Sequence, residues 1–404
     1  MKRPLLFVLA AAFGLSACTS LDGKSAREMV QISQNRLLKQ DYSFNFNGEL
    51  RAYTSPTGQG IVKQVAARPF QARHEPENEE TLADKQWDSM ADYEALSRLE
   101  MLREVNNIGG KAADMLQAYQ GAQAYLSNAK FKYSGAVDLS RKKVEVVPVL
   151  ELDNRNEYHR VSFPMLLDGN DFSLTVDFPA TFPLITGFFV EEPMRRRLVD
   201  EPLKVLLPEE IRTGLPLNHA AEALLKANAA SFGALPPEAY TLEKMDAFGS
   251  KHGARYRVHY VLDSHNRKLM AQRFAEVFDA EMNRLQQTPE RGTYPQGYET
   301  VRQFLADRIN PQALPFSMEK MLGSPLYNDL YFDRKGRLKA ARQYVQANGG
   351  KLALNVVSET VYDRYGKPEF TFRPQAGKVI TWEELKQSME EAGEAAKRRK
   401  NLSD

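Results

Sequence analysis

The chain has 404 residues, 43% hydrophobic and 26% charged, which is enough apolar material for a sizeable core and excludes a chain disordered throughout. Its 54 Lys and Arg face 52 Asp and Glu, and Lys2 and Arg3 account for the surplus, so no concentrated basic field argues for nucleic-acid binding. A single cysteine excludes a disulfide framework and a multi-thiolate metal site.

Lys2 and Arg3 form a short positive start, and the apolar run from Leu5 to Leu15 has the length of a secretory leader, well short of the roughly 20 residues that span a bilayer. It ends in Leu15-Ser16-Ala17-Cys18, which resembles the bacterial lipobox. The resemblance implies a signal peptide over 1–17, peptidase recognition through Leu15, Ser16 and Ala17, and a diacylglyceryl group on the Cys18 thiol at a new, acylated N-terminus. Thr19 stands where Asp would mark inner-membrane retention, which implies an outer-membrane, periplasm-facing lipoprotein. A lone thiol in an oxidising compartment would risk stray pairing, and a thioether removes that risk. Residues 18–24 are expected as a lipidated start and short tether.

Ser25 and Glu28 have capping-box spacing, and Ala26, Met29, Val30, Leu37 and Leu38 recur on one face, predicting a helix over 25–40. Tyr42 to Leu50 alternates as a half-buried strand, with a return strand expected near 61–71. An acidic connection at 75–80 precedes helices over 82–106 and through Met115 to Leu126. The order Phe131-x-Tyr133-x-Gly135-x-Val137 echoes Phe44-x-Phe46-x-Gly48-x-Leu50, as equivalent strands or by chance. Alternating segments near 131–139, 144–152, 158–167 and 172–178, separated by short polar turns, describe an antiparallel meander. In the last, Phe172, Leu174, Val176 and Phe178 are expected on the apolar side and Ser173, Thr175 and Asp177 on the other.

Pro179, Pro183 and Gly187 break up the apolar segment that follows, so 178–190 is expected as a loop. With Phe182, Leu184, Ile185, Phe188 and Phe189 beside Arg195, Arg196 and Arg197, it is the candidate binding loop, a buried crossover being the alternative. Pro-rich 202–216 marks the boundary between domains 25–201 and 217–404. Helices are predicted from Asn218, over Met270 to Leu285 and over 298–309, and a strand over Tyr256 to Leu262. Asp333 to Gly336 and Asp363 to Gly366 have turn chemistry between strand-like arms. With Leu352 to Val357 they predict a second antiparallel sheet. Thr381 to Glu384 is a capping box opening a last helix into Lys397-Arg-Arg-Lys400.

The fold class is therefore α+β: curved antiparallel meanders packed by amphipathic helices, in two domains. That pattern resembles the helix-on-half-barrel lipoprotein carriers of the LolA and LolB type, by analogy of architecture alone. The histidines, His74, His159, His219, His252, His259 and His265, have no metal-ligand spacing, and no nucleophile elbow, P-loop or dinucleotide fingerprint occurs. No cofactor beyond the covalent lipid and no nucleic-acid partner is expected. The functional expectation is a non-catalytic, membrane-anchored binding module for an amphiphile or an envelope protein. A structural or assembly lipoprotein docking an outer-membrane or secretion partner is the second reading, and a motif-free hydrolase the third.

Overall fold

The computed structural model describes residues 20–56, 129–154, 157–179, 190–288, 294, 296–309, 325–349, 352–375 and 377–403. The expected leader, Cys18, the elements expected over 61–126, His74 and the expected loop residues Phe182 to Phe189 lie outside them.

Among the described residues, thirteen strands form one sheet. β1 (Ser43–Pro56) pairs antiparallel with both β2 (Ala129–Asp138) and β12 (Leu352–Asp363), so the N- and C-terminal parts of the chain meet at its centre. Outward from β2 come β3 (Lys143–Asn154), then β4 (Glu157–Ser162) and β5 (Met165–Asp168) along the same side of β3, β6 (Ser173–Val176), β7 (Leu203–Leu206) and β13 (Ile380–Thr381). Outward from β12 come β11 (Leu338–Gly349), β10 (Leu326–Phe332), β9 (Tyr256–Leu262) and β8 (Tyr240–Glu243). The α+β, antiparallel class holds, and the second sheet expected near the C-terminus is part of the first. Residues 202–216, expected as a connection, contribute β7 and a short helix, α3 (Glu209–Gly214), so the boundary segment is built into the sheet.

The echoed segments are neighbours. Their antiparallel register sets Gly48 opposite Tyr133 and Phe46 opposite Gly135, so each aromatic ring covers the other strand's glycine. A Cβ on Gly135 would meet the Glu145 carbonyl as well as the Phe46 ring, which is why the strand carries no side chain there.

α1 (Ala26–Lys39) starts with the expected box: the Glu28 N–H donates to Ser25 Oγ at 3.3 Å and the Ser25 N–H to Glu28 Oε2 at 2.8 Å. Such a cap contributes about 1 kcal/mol. Ala26, Met29 and Val30 then bury one face against Val258, Tyr260, Leu330, Phe332 and Ala341 of β9 to β11. A second core joins the Ala220, Ala223 and Ala227 stripe of α4 (Leu217–Ser231) to Phe278 and Met282 of α6 (Ser264–Gln286) and Tyr298 of α7 (Gly297–Ile309). A third joins Met194 and Leu198 of α2 (Glu192–Asp200) to Leu203 and Ile380, with Leu385 of α8 (Trp382–Ser403) packed against it. The expected box Thr381/Glu384 opens α8, with the Glu384 N–H donating to Thr381 Oγ1 at 3.2 Å.

Three expectations are corrected. The strand over 158–167 is divided into β4 and β5 at Phe163-Pro164, because proline offers no N–H to the ladder. In β6 the polar Ser173 and Thr175 are buried, at 4% and 5% exposure, while Leu174 and Val176 are half-buried; Phe172 precedes the strand at φ 53°. Phe370 to Phe372 is not the arm of a hairpin. Residues 364–375 instead form a strap that crosses β1 to β3 on the way to β13, which explains the parallel β13–β7 pair. Asn45 exchanges hydrogen bonds with the Glu369 backbone, both at 2.8 Å, and buried Glu145 accepts from the Phe372 N–H at 2.6 Å and Thr371 Oγ1 at 2.9 Å. These side chains supply the partners a strand would have found in a ladder.

Candidate functional site

Two features outside the expected loop stand out: the seat of the chain's first described residues and a charged row on the sheet.

Leu21, expected in a tether, is fully buried in the core under α1. Its N–H donates to the Arg334 carbonyl at 2.8 Å, and the Lys24 N–H returns to the Leu21 carbonyl at 3.0 Å. The β10–β11 turn makes room for it at Gly336, whose φ of 78° and position beside Leu21 and Ile32 both favour glycine. Asp22 accepts from Ser20 Oγ at 2.6 Å and from the Tyr256 hydroxyl, and these bonds hold its carboxyl below the usual range. Arg337 ties the same turn to the end of α1 by pairing with buried Asp41 at 3.0 Å.

The sheet face away from α1 carries a row of polar side chains in register: His259, Asp329, Arg342, Glu359, Glu49 and Lys132 on six consecutive strands from β9 to β2. Asp329, at 0% exposure, accepts from Arg257 Nη2 at 2.7 Å, from His259 Nδ1 at 3.0 Å and from the Tyr344 hydroxyl. Burial opposes its ionisation, yet the hydrogen bonds from His259, Arg257 and Tyr344 outweigh it and pull the carboxyl down to about 2. The Tyr331 and Tyr344 phenols are pushed up, by burial first and then by the Asp329 charge, and so remain donors.

α5 (Ala247–Lys251) closes this end of the face. Its cap Asp246 accepts from the Gly249 N–H at 2.8 Å, Tyr331 Oη at 2.9 Å and Arg342 Nη1 at 2.9 Å, and the Arg342 guanidinium lies 4.6 Å from the Phe248 ring centre. Further along the row, Glu359 and Glu49 stand opposite each other, a repulsive pairing. Arg51 bridges them, at 2.9 Å and 3.1 Å, and is itself 55% exposed. Lys132 turns to Glu151 at 2.6 Å.

The row therefore grades from a buried cluster, in which Arg257 Nε finds no hydrogen-bond partner among the described residues, to an exposed charged surface. A carboxylate that accepts from three donors and has a pKa of about 2 is a weak general base at neutral pH. The row's ion pairs tie β9 to β10 and β11 to β12.

Arg195, Arg196 and Arg197, expected beside a loop, lie on α2 and are engaged by carboxylates. Arg195 and Arg196 pair with Glu192 at 3.4 Å and 3.0 Å, and Arg197 pairs with Glu201 at 2.8 Å and Glu384 at 3.0 Å, locking α2 to α8. Of the histidines, His159 and His265 are exposed, His219 bonds Tyr298 Oη at 2.6 Å and His252 lies 5.0 Å from the Phe248 ring centre. The described residues contain no group of three or more potential metal ligands, and none of their helices is long and apolar enough to cross a membrane. A groove of about 310 Å³ between α6 and α7, lined by Phe278, Leu305, Glu299 and Arg302, is at the small end for a ligand site. Arg302 in it is engaged by Glu299 at 3.0 Å.

Comparison with known proteins finds no matching family model, no similar curated protein and no similar solved structure.

Proposed function

We propose that this chain is a lipid-anchored lipoprotein of the outer membrane, facing the periplasm, whose body is a non-catalytic binding module for an envelope protein or an amphiphile. The observation that carries the reading is the seat of Leu21. Three residues after Cys18 the chain enters the core, so cleavage before Cys18 would leave that core whole and join the acylated end to the body by at most about 11 Å. The closed Asp329 cluster supports a scaffold at the covered end of the sheet, and the exposed Arg51 with the half-buried Lys132 supports recognition at the open end. Incorporation of an alkyne-bearing fatty acid in cells tests the anchor: wild type becomes labelled and sediments with membranes, and Cys18→Ala does neither. Labelling of the Cys18→Ala variant would overturn the reading.

A second reading, an assembly lipoprotein that docks an outer-membrane or secretion partner, is favoured by β4. This strand pairs with β3 alone among the described residues, leaving its outer backbone edge open beside Tyr158, which is 59% exposed. Strand addition at such an edge is a general docking mode. Photo-crosslinking from position 158 in intact cells separates the two readings: one discrete protein adduct supports assembly, and lipid adducts support an amphiphile carrier.

A further inference from the structure

The strand directions bring the β5–β6 turn, with Asp168 and Asp171, to one end of the sheet together with four basic connections. The four are the β2–β3 turn, the 244–255 segment between β8 and β9, the β10–β11 turn and the start of the strap after β12. Each carries basic residues at its tip: Arg141 and Lys142, Lys251 and Arg255, Arg334 and Lys335, Arg364 and Lys367, all exposed. Most carboxylates on these connections are engaged by neighbouring groups. Asp138 accepts from Ser140 and Arg141, Asp333 accepts from the Lys335 and Arg337 N–H groups, Glu369 pairs with Arg364, and Asp22 holds Ser20 and Tyr256. Asp22, Asp363 and Glu369 are themselves exposed, as are Glu209 and Glu210 just past β7 at the same end. Among the described residues, Arg255, Arg334, Lys335 and Lys367 form no ion pair, although the Asp22 charge acts on Arg255 and Arg334, so these four connections carry a local cationic surplus despite the balanced charge of the whole chain.

Two of the basic residues occupy backbone positions that suit them poorly. Lys142 and Arg364 have φ of 54° and 49°, the left-handed region where glycine or asparagine is the ordinary choice. Lys142 reaches Asn218 Oδ1 at 3.0 Å and Arg364 pairs with Glu369, so both cations are held at the rim.

Leu21 is seated on this same rim, bonded to the Arg334 carbonyl. We propose that the basic turns are a docking face for anionic lipid headgroups, so that the protein stands on the membrane with the 333–337 turn down and the far end of the sheet up. This rests on the acylation of Cys18 proposed above. A link of at most about 11 Å leaves the body little freedom to present any other end, and cations within a Debye length of phosphate-bearing lipid are attracted to it. The central strands are 12 to 14 residues long. At about 3.3 Å per residue the β4 edge, with Tyr158, then stands roughly 35 Å above the rim.

The test uses the acylated protein, purified from membranes and reconstituted in phosphatidylethanolamine–phosphatidylglycerol vesicles that contain a nitroxide-headgroup lipid. Because Cys18 is the chain's one cysteine and would be blocked, Lys335→Cys and Tyr158→Cys each introduce a single site for a fluorophore. The expected result is strong quenching at 335 and loss of quenching at 158, with the 335 signal reduced in phosphatidylcholine vesicles or in an Arg255→Ser/Arg334→Ser/Lys367→Ser background. Equal quenching at both sites, stronger quenching at 158, indifference to anionic lipid, or a protein rather than lipid contact at 335 in native membranes would each overturn the docking face. The mass of the N-terminal peptide is read on the same sample. An acylated Cys18 with any of those outcomes refutes the orientation alone, whereas an unmodified Cys18 refutes the anchor and the orientation with it.

Discussion

Asp329→Asn removes the charge at the centre of the β9–β11 cluster while nearly preserving shape. Arg257 then loses its 2.7 Å partner and keeps Asp246 at 3.5 Å, and the three donors of Arg257, His259 and Tyr344 compete for one amide oxygen. Breaking one side of a buried ion pair costs about 3–5 kcal/mol, a large fraction of the 5–15 kcal/mol by which folded domains exceed their unfolded states. Urea unfolding followed by circular dichroism should show the midpoint falling by that amount with little change in slope. The wild-type pH profile provides an independent arm. The folded carboxyl titrates at about 2, below its ordinary 3.8, so its stabilisation is present above pH 4 and is lost as pH falls through 2. The shift corresponds to about 2 kcal/mol, and that part of the acid loss should be missing in Asp329→Asn. A destabilisation below about 1 kcal/mol, or an unchanged acid profile, would mean that the cluster is solvated and would refute this reasoning.

Leu21→Ala should lower stability by about 2–4 kcal/mol in the same assay, since it empties a fully buried site, while leaving fatty-acid labelling of Cys18 intact. Gly135→Ala should be more damaging than Gly48→Ala, by about 1 kcal/mol or more in urea midpoints. At 135 the new methyl meets the backbone carbonyl of Glu145, and at 48 only the Tyr133 ring tip, which can shift. Arg364→Gly should leave thermal stability unchanged or raised by up to about 1 kcal/mol, because it relieves a left-handed backbone and removes only an exposed pair with Glu369.

The parts of the fold legible in the sequence are those fixed by short-range chemistry. Ser25/Glu28 and Thr381/Glu384 marked the starts of α1 and α8, and Asp333 to Gly336 marked the β10–β11 turn. Strand partners distant in the chain leave no such mark. The β1–β12 pairing joins residues near 50 to residues near 357, and nothing local to either distinguishes one sheet from two. The Asp363–Gly366 turn was recognisable, but the side chains that divert the following segment, Asn45 and Glu145, are far away in sequence. The Asp329 cluster was missed for a related reason. Alternation of Tyr256, Val258, Tyr260 and Leu262 assigns Arg257 and His259 to the solvent side, whereas α5 and the neighbouring strands bury them at 6% and 9% exposure. The available signal was charge matching: Arg257 and His259 in one predicted strand, a lone Asp329 in the next, and Arg342 in the third. In the Arg195–Arg197 run the sequence showed charge but not the carboxylates of Glu192, Glu201 and Glu384 that absorb it.

The claim on which the rest depends is the covalent state of residue 18, and it is read most directly from the mass of the N-terminal proteolytic peptide of protein extracted from native membranes. The account predicts a peptide beginning at Cys18 that carries a thioether-linked diacylglyceryl group. A peptide that begins elsewhere, or a Cys18 with an unmodified thiol, would contradict it.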